Sequence, residues 1–139
     1  MTTQIDTVLY TGKTRVVGGR EGHARSTDGR LDVKLSPPGS TGPGTNPEQM
    51  LAAGWSACFI GAMGKAAAKL TTRLPAGTAV DAEVDLGMNG DAYLLRARLN
   101  VSLPGIERAL AEEIAQMAHQ TCPYSKALKS NIDVTITVV

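Results

Sequence analysis

Hydrophobic and polar positions alternate with period two in several stretches of the chain, and this pattern predicts strands. From Val80 to Leu86 the apolar residues Val80, Ala82, Val84 and Leu86 face one way, and Asp81, Glu83 and Asp85 the other. Asn89-Gly90 then reads as a hairpin turn. Leu95, Ala97, Leu99, Val101 and Leu103 form the apolar side of the partner strand, with Arg96, Arg98 and Asn100 outward. An acidic face opposite a basic one predicts favourable cross-strand pairs. Earlier, Leu31, Val33 and Leu35 alternate with Asp32 and Lys34 after a turn at Asp28-Gly29. At the end, Ile132, Val134, Ile136 and Val138 mark a final strand. Residues 7–17 are β-prone, with Gly12 as a bulge position, and a short strand is expected around Gly22–Ser26.

Helical spacing takes over elsewhere. Ile106, Ala109, Leu110, Ile114, Met117 and Ala118 predict a helix opening near Pro104-Gly105. Cys122-Pro123 interrupts it, and a short third helix runs to about Lys129, closed by Asn131. The stretch from Asn46 to Lys69 dominates the chain. Its sixteen residues Gln49–Gly64 carry no charge and include four alanines and three glycines. Asn46 is a capping residue type, Pro47 suits the first helical position, and Gln49 completes a capping box. Being apolar all round, this helix is expected to be buried on every side. It falls short of the ~20 strongly apolar residues of a membrane span. Residues 36–47 hold four prolines and three glycines and read as a loop leading to that helix. The order β-β-β-α-β-β-α-α-β implies an α+β fold, with mainly antiparallel sheets around a long buried central helix.

Composition narrows the classes. With 139 residues, one domain spanning 1–139 is expected. A net charge of +1, with scattered basic residues, gives no nucleic-acid footprint. The N-terminus has no apolar signal core and carries Asp6 early, so a cytoplasmic location is expected. Two cysteines in such a chain point to catalytic, redox or metal chemistry more than to a structural staple.

Cys58 sits mid-helix, sharing a face with Leu51, Gly54, Trp55, Gly61, Ala62 and Lys65. It reads either as a small core hydrophobe or as a reactive thiol with room beside it. Burial alone raises a thiol pKa, so a reactive Cys58 needs a cation from elsewhere in the chain. Cys122 reads as a plain cap residue or as a thiolate favoured by a helix N-terminus. The residues alone do not decide which cysteine attacks. Arg20 follows Gly18-Gly19 and reads as a turn arginine. Glu48 in the first helical turn complements the macrodipole. His23, His119, Cys58 and Cys122 together offer two His and two Cys, but only one pair has tight metal-ligand spacing. A Cys58–His119 acyl-transfer pair lacks a local signature.

Taken together, several segments resemble the organic hydroperoxide resistance proteins of the Ohr/OsmC family. They are Tyr10-Thr11-Gly12, Gly19-Arg20-Glu21-Gly22, Ser26-x-Asp28-Gly29-x-Leu31, Asn46-Pro47-Glu48-Gln49, Ala57-Cys58-Phe59, and Cys122-Pro123-Tyr124-Ser125-x-Ala127. The resemblance spans nearly the whole chain. It implies a thiol peroxidase without cofactor or metal, cytoplasmic, working as an intertwined homodimer. Cys58 would be peroxidatic and Cys122 resolving, the two forming a disulfide. Arg20 would stabilise the thiolate and the peroxide, and Glu48 would orient Arg20. The substrates implied are organic and lipid hydroperoxides, and the reductant a dithiol such as a lipoylated protein, with no nucleic acid or membrane partner.

An apolar wall of Trp55, Leu51 and Phe59 would then favour alkyl peroxides. One geometric strain follows. Ten residues of helix separate Glu48 and Cys58 by about 15 Å along the axis. Either the first turn is irregular, or Arg20 moves between the two; the second is preferred. The alternative functions are an OsmC-type peroxidase of broader range, a non-enzymatic apolar-ligand binding module, and a metal-dependent hydrolase.

Overall fold

The computed structural model describes residues 2–139. In chain order the elements are β1 (Thr14–Val17), a 3-10 turn (Gly19–Glu21), β2 (His23–Ser26), β3 (Asp32–Lys34), α1 (Pro47–Lys69), β4 (Ala79–Asn89), β5 (Ala92–Ser102), α2 (Arg108–Thr121), α3 (Pro123–Leu128) and β6 (Asp133–Val138). This is the expected α+β order, with the 3-10 turn added. The chain divides into two compact units, one ending at Pro47 and the other starting at Glu48.

The first unit is an antiparallel sheet in the order β1-β2-β3. Gly18 (φ 81°) and Gly19 (φ 56°) take left-handed conformations between β1 and β2, where a Cβ would be strained. Gly22 is required for another reason: a Cβ there would lie 1.6 Å from the Val17 carbonyl oxygen. The Asp28-Gly29 turn forms as expected, with the Ser26 hydroxyl donating to Asp28 at 2.6 Å and Gly29 at φ 75°. The first strand is shorter than the β-prone run over 7–17. Its pairing starts at Thr14, opposite Ser26, the last residue of β2. Among the described residues no strand pairs with those upstream of Thr14, and β propensity without a ladder does not make a strand.

The second unit is built on α1, on β4 and β5 paired antiparallel from Ala79↔Ser102 to Asn89↔Ala92, and on β6. β6 runs parallel to β5, from Arg96↔Asp133 to Val101↔Val138. A parallel pair needs a crossover, which α2 and α3 supply. The inward side chains of β5, Ala97, Leu99 and Val101, are buried, and Val80, Ala82, Val84, Val134, Ile136 and Val138 pack against the same core. On the other face Asp85 accepts from Arg96 at 2.8 Å and from both ends of the Arg98 guanidinium at 2.9 and 2.8 Å. These bonds hold its carboxyl well below the usual carboxylate range.

Two helical expectations are corrected. α1 is not buried all round. Trp55, Phe59, Ala62, Met63, Ala66 and Ala67 form one buried stripe, while Ala53, Ala57, Gly61 and Ala68 are exposed. Small uncharged residues present little apolar surface, so the absence of charge does not force burial. α2 begins at Arg108, not at Pro104-Gly105. Gly105 is left-handed (φ 79°), and the Glu107 carboxylate caps the helix by accepting from the Ala109 and Leu110 amides at 3.2 and 3.3 Å. That shift exposes Ala109 and buries Ala111 and Ala115 instead. Among the described residues no helix is long and apolar enough to cross a membrane.

Candidate active site

Pro123 has no N–H to donate into α2, so the chain turns there and restarts as α3. Cys122 serves both helices. Its own N–H closes α2 on the Ala118 carbonyl at 2.7 Å, and its carbonyl accepts the Lys126 N–H of α3 at 2.9 Å. This double role fixes the backbone that carries its sulfur. Cys122 is fully buried, Cys58 is half-buried, and both are free thiols. They lie 64 residues apart in sequence, yet the Cys122 thiol donates to the Cys58 sulfur at 3.2 Å.

The backbone N–H of Tyr124, in the first turn of α3, also donates to the Cys58 sulfur. A mid-helix cysteine receives nothing from its own helix terminus, but here a second helix delivers an amide to it. Burial is the largest influence on the Cys58 thiol and pushes its pKa up. The Tyr124 amide acts in the opposite direction, and the neighbouring Cys122 sulfur adds to the rise.

The room beside Cys58 is used differently at its two glycines. A Cβ on Gly54 would lie 3.2 Å from the Tyr124 hydroxyl, so Tyr124 covers that position. A Cβ on Gly61 would meet nothing. There an open groove of about 360 Å³ is lined by Cys58, Gly61, Ala62, Lys65, Thr121 and Pro123. Four of these residues belong to the α1 face expected around Cys58. Trp55 and Phe59 do not wall the groove: both are fully buried in the core, on the stripe of α1 that meets the sheet and α2.

Trp55 has a polar task instead. Its indole N–H donates to the fully buried Ser125 hydroxyl at 3.0 Å, and that hydroxyl lies 2.9 Å from His119 Nδ1. An indole N–H can only donate. The Ser125 hydroxyl has one proton and a second lone pair, so it meets Nδ1 as donor or as acceptor according to the ring tautomer. Burial lowers the His119 pKa, helped by the Lys129 charge, so the neutral ring is favoured. With Nδ1 engaged by Ser125, His119 is not arranged as a base for Cys58. His23 is paired with Asp32 at 2.6 Å, on β2 and β3. Arg20 lies exposed on the 3-10 turn of the first unit, which ends at Pro47. Glu48 lies half-buried in the first turn of α1, which is regular from Pro47 onward. An irregular first turn is thus excluded as a way to bring Glu48 back towards Cys58.

Sequence reasoning left Ser125 and the Tyr124 amide without a role. Ser125 belonged to a recognisable segment, but its partners Trp55 and His119 stand 70 and 6 residues away. A backbone N–H leaves no mark in a sequence at all.

Residues 38–137 match the family described as OsmC-like protein. The chain belongs to that family. Its OsmC-like relatives include the organic hydroperoxide resistance protein of Xanthomonas axonopodis pv. citri, 45% identical over 135 residues, covering 94% of this chain and 95% of the relative. OhrB of Bacillus subtilis, an organic hydroperoxide resistance protein, is 36% identical over 92% of this chain and 96% of its own. The crystal structure of that OhrB superposes with a TM-score of 0.89 at 34% identity, covering 95% of this chain and all (100%) of the other. An organic hydroperoxide resistance protein OsmC from Legionella pneumophila superposes with a TM-score of 0.87 at 36% identity, covering 95% and 98%.

Proposed function

We propose that this OsmC-like chain is a thiol peroxidase that reduces organic hydroperoxides, with Cys58 as the attacking sulfur and Cys122 as the resolving one. The observation that carries this reading is the pair of free sulfurs 3.2 Å apart, only one of which lines an open groove. That asymmetry supports the roles: a peroxide reaches Cys58 and not the fully buried Cys122. The names of the nearly full-length relatives support the substrate class.

In the first step the Cys58 thiolate attacks the distal oxygen of ROOH. The O–O bond breaks, two electrons pass from sulfur to oxygen, and the alkoxide takes a proton to leave as ROH. Cys58 is then a sulfenic acid. In the second step the Cys122 sulfur displaces that oxygen. A proton from Cys122 joins the departing hydroxide, and water and a Cys58–Cys122 disulfide result. Closing 3.2 Å to a bond of ~2.05 Å asks for little more than ~1 Å of movement. A dithiol of the lipoyl type, oxidised to its cyclic disulfide, returns both cysteines to thiols and completes the cycle without metal or cofactor.

Burial holds the Cys58 thiol up, so attack at neutral pH needs a cation. The reading gives that role to Arg20, whose guanidinium does not lose its proton. Glu48 is assigned to orient Arg20, and since a regular α1 separates Glu48 and Cys58 by about 15 Å along the axis, Arg20 is proposed to move between a reduced and an oxidised arrangement. The active unit is a homodimer. Sedimentation at micromolar concentration checks the dimer, and a monomer there refutes it.

The deciding experiment is rapid mixing of the reduced chain with tert-butyl hydroperoxide. Two thiols per chain should be lost without added metal. Cys58→Ser should abolish consumption, and Cys122→Ser should give one turnover ending at an oxidised Cys58. Full activity in Cys58→Ser would refute the assignment. Arg20→Ala should slow the first step and move the pH midpoint of Cys58 alkylation upward; an unchanged profile would remove Arg20 from the mechanism.

A further inference from the structure

We infer that Ser125 is a positioning residue for disulfide closure, its hydroxyl pinned between Trp55 and His119 so that the Cys122 sulfur is held against Cys58. This deepens the peroxidase reading and rests on it for the physiological role of the closure.

The placement is regular. Trp55 stands three residues before Cys58 on α1, and Ser125 three residues after Cys122 on α3. His119 stands three residues before Cys122 on α2. The Trp55–Ser125 bond at 3.0 Å therefore ties α1 to α3 one turn from each sulfur. The Ser125–His119 bond at 2.9 Å ties α3 to α2 across the Pro123 break. It adds a side-chain tie between α2 and α3 to the two backbone bonds that Cys122 makes at the junction.

The hydroxyl is also partnered on both sides, accepting from the indole and hydrogen-bonded to the imidazole. It is fully buried, so removing either partner leaves a polar group with no water to replace it. Phe59 packs on the His119 ring with centroids 6.4 Å apart and fixes that ring from the core side. The same turn carries the Tyr124 amide that faces Cys58. Ser125 thus governs both the partner sulfur and the backbone donor of the attacking one.

The chemistry affected is the second step only: Cys58–SOH plus Cys122–SH gives Cys58–S–S–Cys122 plus water. A loosened Cys122 leaves the sulfenic acid waiting, and further hydroperoxide converts it to sulfinic acid while itself becoming the alcohol.

Two measurements on the full chain test this. The first is the equilibrium of the Cys58–Cys122 pair with reduced and oxidised glutathione. The second is the share of Cys58 ending as sulfinic acid rather than disulfide, read by mass spectrometry at rising tert-butyl hydroperoxide. That share does not depend on how fast the first step runs. Ser125→Ala should lower the equilibrium constant for closure about tenfold, the scale of one buried hydrogen bond, and raise the sulfinic share. His119→Leu should do the same. His119→Asn should restore closure, because its amide offers the hydroxyl a hydrogen-bond partner where Nδ1 stood.

Wild-type closure in Ser125→Ala overturns the inference, as does equal behaviour of His119→Leu and His119→Asn. Should Ser125→Ala not fold, the two His119 variants decide. The glutathione equilibrium uses no hydroperoxide. A wild-type chain that closes its disulfide but consumes no hydroperoxide would sink the peroxidase reading and leave the positioning role standing.

Discussion

The β4–β5 ribbon and the α1–α3 contact are both places where side chains meet across elements, but they are built in opposite ways. In the ribbon, one tight turn sets the register of every pair, so Asp85 faces Arg96 because both sit equally far from Gly90-Asp91. The charges lie on the solvent side of the ribbon, with Asp85 and Arg98 half-buried. At the α1–α3 contact, two sulfurs, an indole, a hydroxyl, an imidazole and a backbone amide come from three helices and meet largely out of water. No turn sets that meeting; the packed core does. A group removed from the ribbon is replaced by solvent, whereas a group removed from the contact leaves its partner unsatisfied.

The largest effect that sharpens this contrast should come from the core under the contact. Phe59→Ala should cost about 3–5 kcal/mol in denaturant unfolding, since a fully buried ring leaves a cavity between α1 and α2. A loss below ~1 kcal/mol would mean the contact does not depend on the core. Next comes Gly54→Ala. Its new Cβ would press on Tyr124 at 3.2 Å, and the turn carrying Cys122 should shift with it. Disulfide closure should slow several-fold, with about 1 kcal/mol or less lost in stability. Stopped-flow disulfide formation checks this, and an unchanged rate would uncouple Tyr124 from the sulfurs.

A smaller effect is expected from Arg98→Ala in the ribbon. Solvent reaches this half-buried pair and screens it, so the loss in stability should be small, and 0.5 M salt should erase most of it. A loss as large as that of Phe59→Ala would break the comparison. The smallest is a pH effect at Asp85. Its carboxyl pKa is lowered by Arg98 and Arg96, so its contribution is present above the unfolded carboxylate pKa. It is lost as pH falls through the folded value, because the unfolded chain then binds the proton more readily. Thermal melts between pH 5 and pH 2 should show Asp85→Asn losing less on acidification than wild type; parallel curves would remove Asp85 as a source of acid sensitivity.

Much of the fold was readable from pattern. The strand pair, whose loop is Gly90-Asp91, one residue past the expected Asn89-Gly90, the helix from Pro47 to Lys69, and the break at Cys122-Pro123 follow from period and turn chemistry, which act over a few residues. The misreadings came where a local rule met a missing or unseen partner. Residues 7–12 have strand propensity, but among the described residues no strand pairs with them. The uncharged α1 was expected to be buried everywhere, and its alanine and glycine face is open. Of the candidate site, the two cysteines and their segments were recognisable, while the direction of attack was open on residues alone. In the proposed mechanism, the groove beside Cys58 and the full burial of Cys122 are what favour Cys58 as the attacking sulfur.

The chain by itself determines the period of each element, the turns that punctuate them, the positions of both thiols, and the charges that face one another across the hairpin. All of these act between near neighbours, or between residues whose separation a turn sets. The 3.2 Å between two sulfurs 64 residues apart, the Tyr124 amide on Cys58, and the clamp on Ser125 were decided only when the helices packed. Contacts of that kind depend on the angle and rotation of each helix against the core, and no spacing along a sequence encodes those.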